Sequence, residues 1–266
     1  MNDVSPRKPR RRGGPSPLAA APILGLLLIP VVAILVRASP AELARQIQEE
    51  PARQALALSL GTSTATLGIA LLFGTPLARV LAQRPAGGRR WLELAVDLPT
   101  VLPPAVAGLG LLFAFGRRGL LGGVLEWAGL EIAFTPFAVV LAQAFVAVPY
   151  YVRTAAVGLA ALDPELEVAA ELDGATPAQV FRSISLPLAW RGFAGGAALC
   201  WARALGEFGA TIVFAGNFPG RTQTMPLAVY LGLERDLQLA LTLAVILVGI
   251  SFVVLFVLRA VLKETE

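Results

Sequence analysis

Six stretches of this chain run for about twenty residues with few or no charges, and their recurrence limits the fold more than any other feature. They cover 18–36, 55–81, 97–116, 134–152, 190–214 and 237–258. A helix needs about 20 mostly apolar residues to cross about 30 Å of hydrocarbon. Within hydrocarbon, every backbone donor and acceptor must be satisfied by the protein itself, so only helices and closed barrels can span. Transmembrane barrel strands are about 9–11 residues long and alternate in polarity. Continuous runs of the observed length therefore predict an all-α, polytopic membrane protein with six transmembrane helices. Only 15% of the residues are charged, against about 25% in an ordinary soluble domain, and so few charges cannot clothe a water-exposed core.

Residue types remove several kinds of chemistry. There is no histidine and a single cysteine, Cys200, so His-based catalysis, His-ligated metals, disulfide frameworks and CxxC metal sites are all absent. No GxxxxGK[ST] phosphate loop occurs, so the chain cannot itself be an ATPase of that class. No catalytic residue, cofactor or metal site is expected.

The basic residues point to an orientation. Fourteen Lys and Arg lie on one side of the six runs: Arg7, Lys8, Arg10, Arg11, Arg12, Arg79, Arg84, Arg89, Arg90, Arg153, Arg182, Arg191, Arg259 and Lys263. Seven lie on the other: Arg37, Arg45, Arg53, Arg117, Arg118, Arg221 and Arg235. Positive residues accumulate on the cytoplasmic side, which predicts cytoplasmic N- and C-termini in the cell membrane. The basic excess is thus topological, and no nucleic-acid partner is expected. Residues 1–17 read as a basic cytoplasmic tail and 18–36 as an uncleaved first helix. That run is longer than the 7–15 residues of a signal-peptide core, and no clear A-x-A site follows it.

Between the fourth and fifth runs lie about forty residues unlike a membrane span. Asp163-Pro164-Glu165-Leu166-Glu167-Val168-Ala169-Ala170-Glu171-Leu172-Asp173 predicts a short helix, with Asp163 as N-cap, Pro164 at N1 and acids in the first turn. Gly174 ends it as a left-handed C′ residue. Thr176 and Pro177 open a second short helix, which Leu186-Pro187 is expected to break. Two readings stand on this pattern alone: a knob presented to the cytoplasm, or a re-entrant or surface linker.

Val168-Ala169-Ala170-Glu171-Leu172-Asp173-Gly174, followed after nine residues by Ile184-Ser185-Leu186-Pro187, resembles the EAA motif of type I ABC importer permeases. Ala169, Ala170, Gly174, Ile184, Leu186 and Pro187 occupy the motif's positions at its spacing. Val168 replaces the first Glu, with Glu167 one residue earlier. The resemblance implies a type I importer permease domain over 54–258, with a coupling-helix loop at 163–187. It also implies that Glu167 and the six matching residues face a cytoplasmic ATPase dimer, and that the chain works with a second copy of itself.

The fifth run contains Arg203-Ala204-Leu205-Gly206-Glu207-Phe208-Gly209-Ala210-Thr211. Charges within a span are costly and usually face a bundle interior or water. Arg203 and Glu207, at i and i+4, either form a structural ion pair or, with Thr211, line a path or gate for an anion. This segment, with Ala215-Gly216-Asn217 and Thr222-Gln223-Thr224-Met225-Pro226-Leu227, is similar to the permeases of molybdate importers; tungstate and sulfate/thiosulfate permeases are close alternatives. That likeness implies an extracytoplasmic molybdate-binding protein as a partner. Asn217, Arg221 and Gln223 are expected in the outer loop, where they either meet such a protein or are simply solvated. Ser59, Thr62, Ser63 and Thr66 fall on one face of the second run. That face either helps to line a hydrated path, through Ser59 and Ser63, or glues helices together. An autonomous ion-coupled carrier or channel, or a membrane scaffold, are readings of a different class. The first lacks the expected internal repeat, and the second has no need of the knob.

Overall fold

The computed structural model describes residues 20–82 and 89–263, and these contain helices and no strand. The basic tail at 1–17, the start of the first run at 18–19 and Arg84 lie outside the described residues. Fifteen α-helices follow one another: α1 (Ala21–Arg37), α2 (Pro40–Gln46), α3 (Glu50–Ile69), α4 (Thr75–Ala82), α5 (Arg89–Val101), α6 (Pro104–Phe115), α7 (Gly122–Trp127), α8 (Pro136–Ala160), α9 (Pro164–Leu172), α10 (Pro177–Val180), α11 (Leu186–Leu188), α12 (Trp190–Leu205), α13 (Gly209–Phe214), α14 (Met225–Arg235) and α15 (Leu237–Lys263).

Three helices are each long and apolar enough to cross a membrane: the continuous Glu50–Ala82, α8 and α15. Two bent pairs raise this to five, α1 with α2 at 76° and α5 with α6 at 115°. The expected third span is thus a short helix, α6, entered through a sharp bend. Pro103 is extended (φ −55°, ψ 132°) and caps α6, because proline disfavours helical backbone in the residue before it and Pro104 follows. The expected fifth span is not continuous either. It divides into α12 and α13 at Gly206–Phe208. Gln223, expected in an outer loop, is buried together with Thr222, Thr224, Met225 and Leu227, and this stretch leads into α14, which packs back on α15.

α8 is the hub. It packs against α3, α4, α5, α6, α12 and α13 and buries a nearly continuous set from Ala138 to Leu159. Its closest crossing is with α12, where Gly158 and Gly192 meet face to face. A Cβ on Gly158 would stand 2.9 Å from the Gly192 Cα. Small residues at membrane helix crossings let backbones approach and gain dispersion contacts that lipid tails cannot supply. α1 buries no residue, as expected of a helix whose apolar surface faces lipid.

One irregularity sits beside the hub. Helices α3 and α4 join without a break through a π-turn at Ala70–Gly74. Gly74 lies so close to α8 that a Cβ would come within 2.9 Å of the Tyr151 ring. Just past the turn, Thr75 and Tyr151 share a hydrogen bond of 2.6 Å between their hydroxyls.

Candidate functional site

The knob forms as its local sequence predicts. The Asp163 carboxylate accepts from the Glu165 N–H (3.0 Å) and caps α9. At the far end the Gly174 N–H donates to Glu171 O and the Ala175 N–H to Ala170 O, each at 3.0 Å. With Gly174 at φ +90°, this is a Schellman closure, a conformation glycine adopts without steric cost. Thr176 and Gln179 complete a reciprocal capping box at the start of α10. Here the structure departs from expectation: Pro187 does not end the second helix. α10 continues through a π-turn at Phe181–Ser185 into α11, and the chain turns only at Ala189 before α12. The first turn of a helix tolerates proline, and Pro187 uses such a start after the π-turn.

α9 buries no residue. Leu166, Val168, Ala169, Leu172 and Gly174 are exposed, and Leu186 and Pro187 are exposed on the second arm. Ala170 and Ile184 are half-buried between the arms. Glu167 turns inward instead of outward: its Oε1 accepts from the buried Ser185 hydroxyl at 2.5 Å, tying α9 to the second arm. The sequence offered Glu167 only as an outward substitute for the motif's Glu, and the inward strut was missed. Arg79, at the end of the long helix, also reaches the knob. It donates to Pro177 O (3.3 Å) and places its guanidinium 5.2 Å above the Phe181 ring, a cation–π contact.

The second candidate region is the broken helix. Arg203 donates to Glu207 Oε2 at 2.7 Å, with side chains 29% and 1% exposed respectively. The other carboxylate oxygen accepts from the Ala210 N–H at 2.8 Å. Glu207 thus closes a pair with the end of α12 and satisfies an orphan amide at the start of α13, where the helix dipole favours negative charge. Gly209 lies against Pro104 of α6, where a Cβ would come within 2.6 Å of the Pro104 Cβ, and Gly108 is equally close to Ala210.

Buried polar groups continue from there. The Thr211 hydroxyl is buried and has no partner among the described residues. The same holds for the amide nitrogen of Gln143 on α8, whose carbonyl accepts from Thr66 at 3.2 Å. Sequence reasoning missed Gln143, although an amide in an apolar run is a signal of the same kind as Arg203. The Ser59–Thr66 face is wholly buried. The Ser59 hydroxyl accepts from the Met225 N–H (2.7 Å), capping α14 from α3. Thr62 and Ser63 bond back to carbonyls of their own helix, Thr62 to Leu58 O (2.8 Å) and Ser63 to Leu60 O (3.2 Å). At Ser59 and Thr66 the geometry is that of helix–helix glue.

At the end of the bundle remote from the knob, a cavity of about 790 Å³ is lined in part by Arg117, Glu126, Glu131, Phe134 and Arg221. Arg117 is ion-paired with Glu131, whose hydrogen bond and charge raise the Arg117 pKa further. Gln223 does not meet solvent there: it is buried and donates to Asn217 (2.9 Å), which in turn donates to Leu227 O (3.2 Å). Of the three residues expected in the outer loop, only Arg221 is exposed.

An all-helical bundle, with a capped two-helix knob between its central helix and a broken one, is the architecture of a type I ABC importer permease. A solved structure with this fold, a bacterial ABC transporter that imports the acidic polysaccharide alginate, superposes with a TM-score of 0.69 over 94% of both chains at 19% identity. Residues 70–264 match the family described as binding-protein-dependent transport system inner membrane component, and the chain belongs to that family. It is a multi-pass inner-membrane protein. Among similar proteins is the molybdenum transport system permease protein ModB of Mycobacterium bovis, 41% identical over 234 residues, or 87% of this chain and 89% of the relative. The protein of that name from Escherichia coli K12 is 42% identical over 185 residues, 69% of this chain and 81% of the relative.

Proposed function

We propose that this chain is the membrane permease subunit of an ATP-driven molybdate importer. It works as a pair of copies, with six spans each and both termini in the cytoplasm. A cytoplasmic ATPase dimer seats on the two knobs, and an extracytoplasmic molybdate-binding protein docks on the opposite, Arg221-bearing face. ATP hydrolysis belongs to the partner, and this subunit performs no chemistry. The knob carries the reading. It is a preformed element with exposed apolar side chains, Val168 and Leu172 on one face of its first helix and Leu166 on another, at the end of the bundle where the basic residues concentrate. The oxyanion is supported by the names of the molybdenum-transport relatives.

Glu167 acts in coupling from inside the knob, while Ala169, Ala170, Gly174, Ile184, Leu186 and Pro187 shape its surface. In the bundle, Arg203 supplies the positive field and Glu207 holds the helix break open at Gly206. The buried, unpartnered donors of Thr211 and Gln143 are suited to an oxyanion, whose oxygens only accept. Ser59 and Ser63 line this region at most through their backbone-bonded hydroxyls, and their first role is packing. The test is reconstitution of the chain in vesicles with its ATPase and binding protein. Molybdate uptake that requires ATP on the knob side, with sulfate and tungstate as competitors, is the expected result. Uptake driven by an ion gradient without the ATPase would overturn the proposal. Gly174→Asp is expected to leave the bundle folded and abolish co-purification of the ATPase.

A further inference from the structure

The motif that carries the family's docking function does not explain how the knob is connected to the rest of the bundle. A chain of contacts makes that connection. From Arg79, over the Phe181 ring at 5.2 Å, it passes to Phe193 of α12, edge-on to Phe181 at 6.2 Å and 84°. Phe193 lies 6.4 Å from the Tyr151 ring of α8, and the Tyr151 hydroxyl bonds Thr75 at 2.6 Å. Thr75 and Arg79 are one helical turn apart on α4 and share a face. The chain therefore closes on itself, gripping α4 at two points. Phe193 and Tyr151 are buried in one apolar cluster with Ala70 and Ala78. Immediately before Thr75 lies the π-turn at Ala70–Gly74. A π-turn holds one surplus residue in a helix and often marks a functional position. It is also where a long helix can change register without breaking.

We infer that Arg79 and Tyr151 are positioning residues that link the knob to the π-turn of the long helix, so that displacement of the knob is delivered to Ala70–Gly74. The inference rests on the proposed seating of an ATPase on the knob. Close-packed interiors switch between discrete arrangements instead of deforming smoothly. A stack anchored to one helix by a cation–π contact at one end and a hydrogen bond at the other moves that helix with the knob.

The test uses the full chain in lipid nanodiscs with its ATPase and binding protein, comparing wild type with Arg79→Ala, Arg79→Lys, Tyr151→Phe and Thr75→Val. Tyr151→Phe and Thr75→Val remove the same hydrogen bond from opposite sides, which guards against a folding defect in either one. ATPase co-purification is expected to be unchanged in all four. Molybdate moved per ATP hydrolysed should fall about five-fold or more, the lower range of ordinary site–site coupling, in all but Arg79→Lys, which keeps the cation over Phe181. Arg79→Ala combined with Tyr151→Phe should be no worse than the poorer single variant. Amide exchange supplies a readout independent of transport: ATPase binding should alter exchange at Ala70–Gly74 in wild type, and that response should vanish in Arg79→Ala and Tyr151→Phe. Unchanged transport per ATP, or losses that multiply in the double variant, would overturn the linkage. If wild type takes up nothing with ATP, the functional reading fails by itself. Exchange at Ala70–Gly74 in the chain alone still judges the linkage: faster in Arg79→Ala supports it, and identical to wild type sinks it.

Discussion

Glu207 holds two neighbours at once, and its replacements separate them. Glu207→Gln retains an oxygen for the Ala210 N–H while removing the charge opposite Arg203. Arg203→Ala keeps the charge but leaves it buried with one amide for company. Breaking a fully buried pair by removing one partner costs about 3–5 kcal/mol. The Arg203 side chain is 29% exposed, and solvent screening brings the expected cost down to about 1–3 kcal/mol. Arg203→Ala should therefore lower the thermal-unfolding midpoint in detergent more than Glu207→Gln does, while both depress ATP-driven uptake. Equal midpoints would show that leaving the Glu207 charge without its partner costs nothing extra. The i, i+4 spacing made the pairing readable from sequence. The capping of Ala210 was not, because it exists only if the helix breaks at Gly206–Phe208. Two glycines in an apolar run signal close packing as readily as a break, and contact with Pro104 and Gly108 of α6 decides between them.

At the level of helices, short-range rules carried far. Asp163, Gly174 and Thr176 are caps whose roles depend on neighbours within a few residues, and each forms as expected. Elements that depend on distant partners were not readable. Nothing near Met225 reveals that the start of α14 is buried, because its first amide is capped by Ser59, 166 positions away in sequence. The crossing of α8 and α12 is of the same kind. Gly158 and Gly192 lie in runs that contain many small residues, and only the fold separates crossing glycines from lipid-facing ones. Gly158→Ala would set a Cβ 2.9 Å from backbone, whereas a Cβ on Gly249 of α15 meets nothing within 4 Å. Overpacking of this sort costs about 1–3 kcal/mol, whereas relief of glycine's backbone entropy in a helix is worth about 0.5–1 kcal/mol. Gly158→Ala should lower the unfolding midpoint and the monodisperse yield, and Gly249→Ala should raise or preserve both. Equal behaviour would mean that the crossing relaxes freely. Inside the knob, Ser185→Ala removes the donor to Glu167 and with it the hydrogen bond that ties α9 to the second arm. Faster amide exchange across α9, with the bundle unaffected, is the expected signature.

Seen whole, the molecule separates its features along one axis. Arg79, Arg182 and Arg191 gather at the knob end, and the cavity bordered by Arg117 and Arg221 lies at the other. The fourteen-to-seven division of Lys and Arg predicts that the knob end meets the cytoplasm, through the preference of positive residues for that side. The chain suits a direct test, since its single cysteine, Cys200, is fully buried and can be replaced by alanine at little cost in volume. Leu120, 90% exposed beside the outer cavity, and Leu172, 83% exposed on the knob, then serve as single reporter positions. In sealed right-side-out vesicles, a membrane-impermeant maleimide should label Leu120→Cys at once and Leu172→Cys only after permeabilisation. Because the two reporters lie at opposite ends of one bundle, the inverse pattern would reverse every loop together. It would place the knob where no ATP is available, and neither the ATPase seat nor the linkage through Arg79 and Tyr151 would then have an energy source.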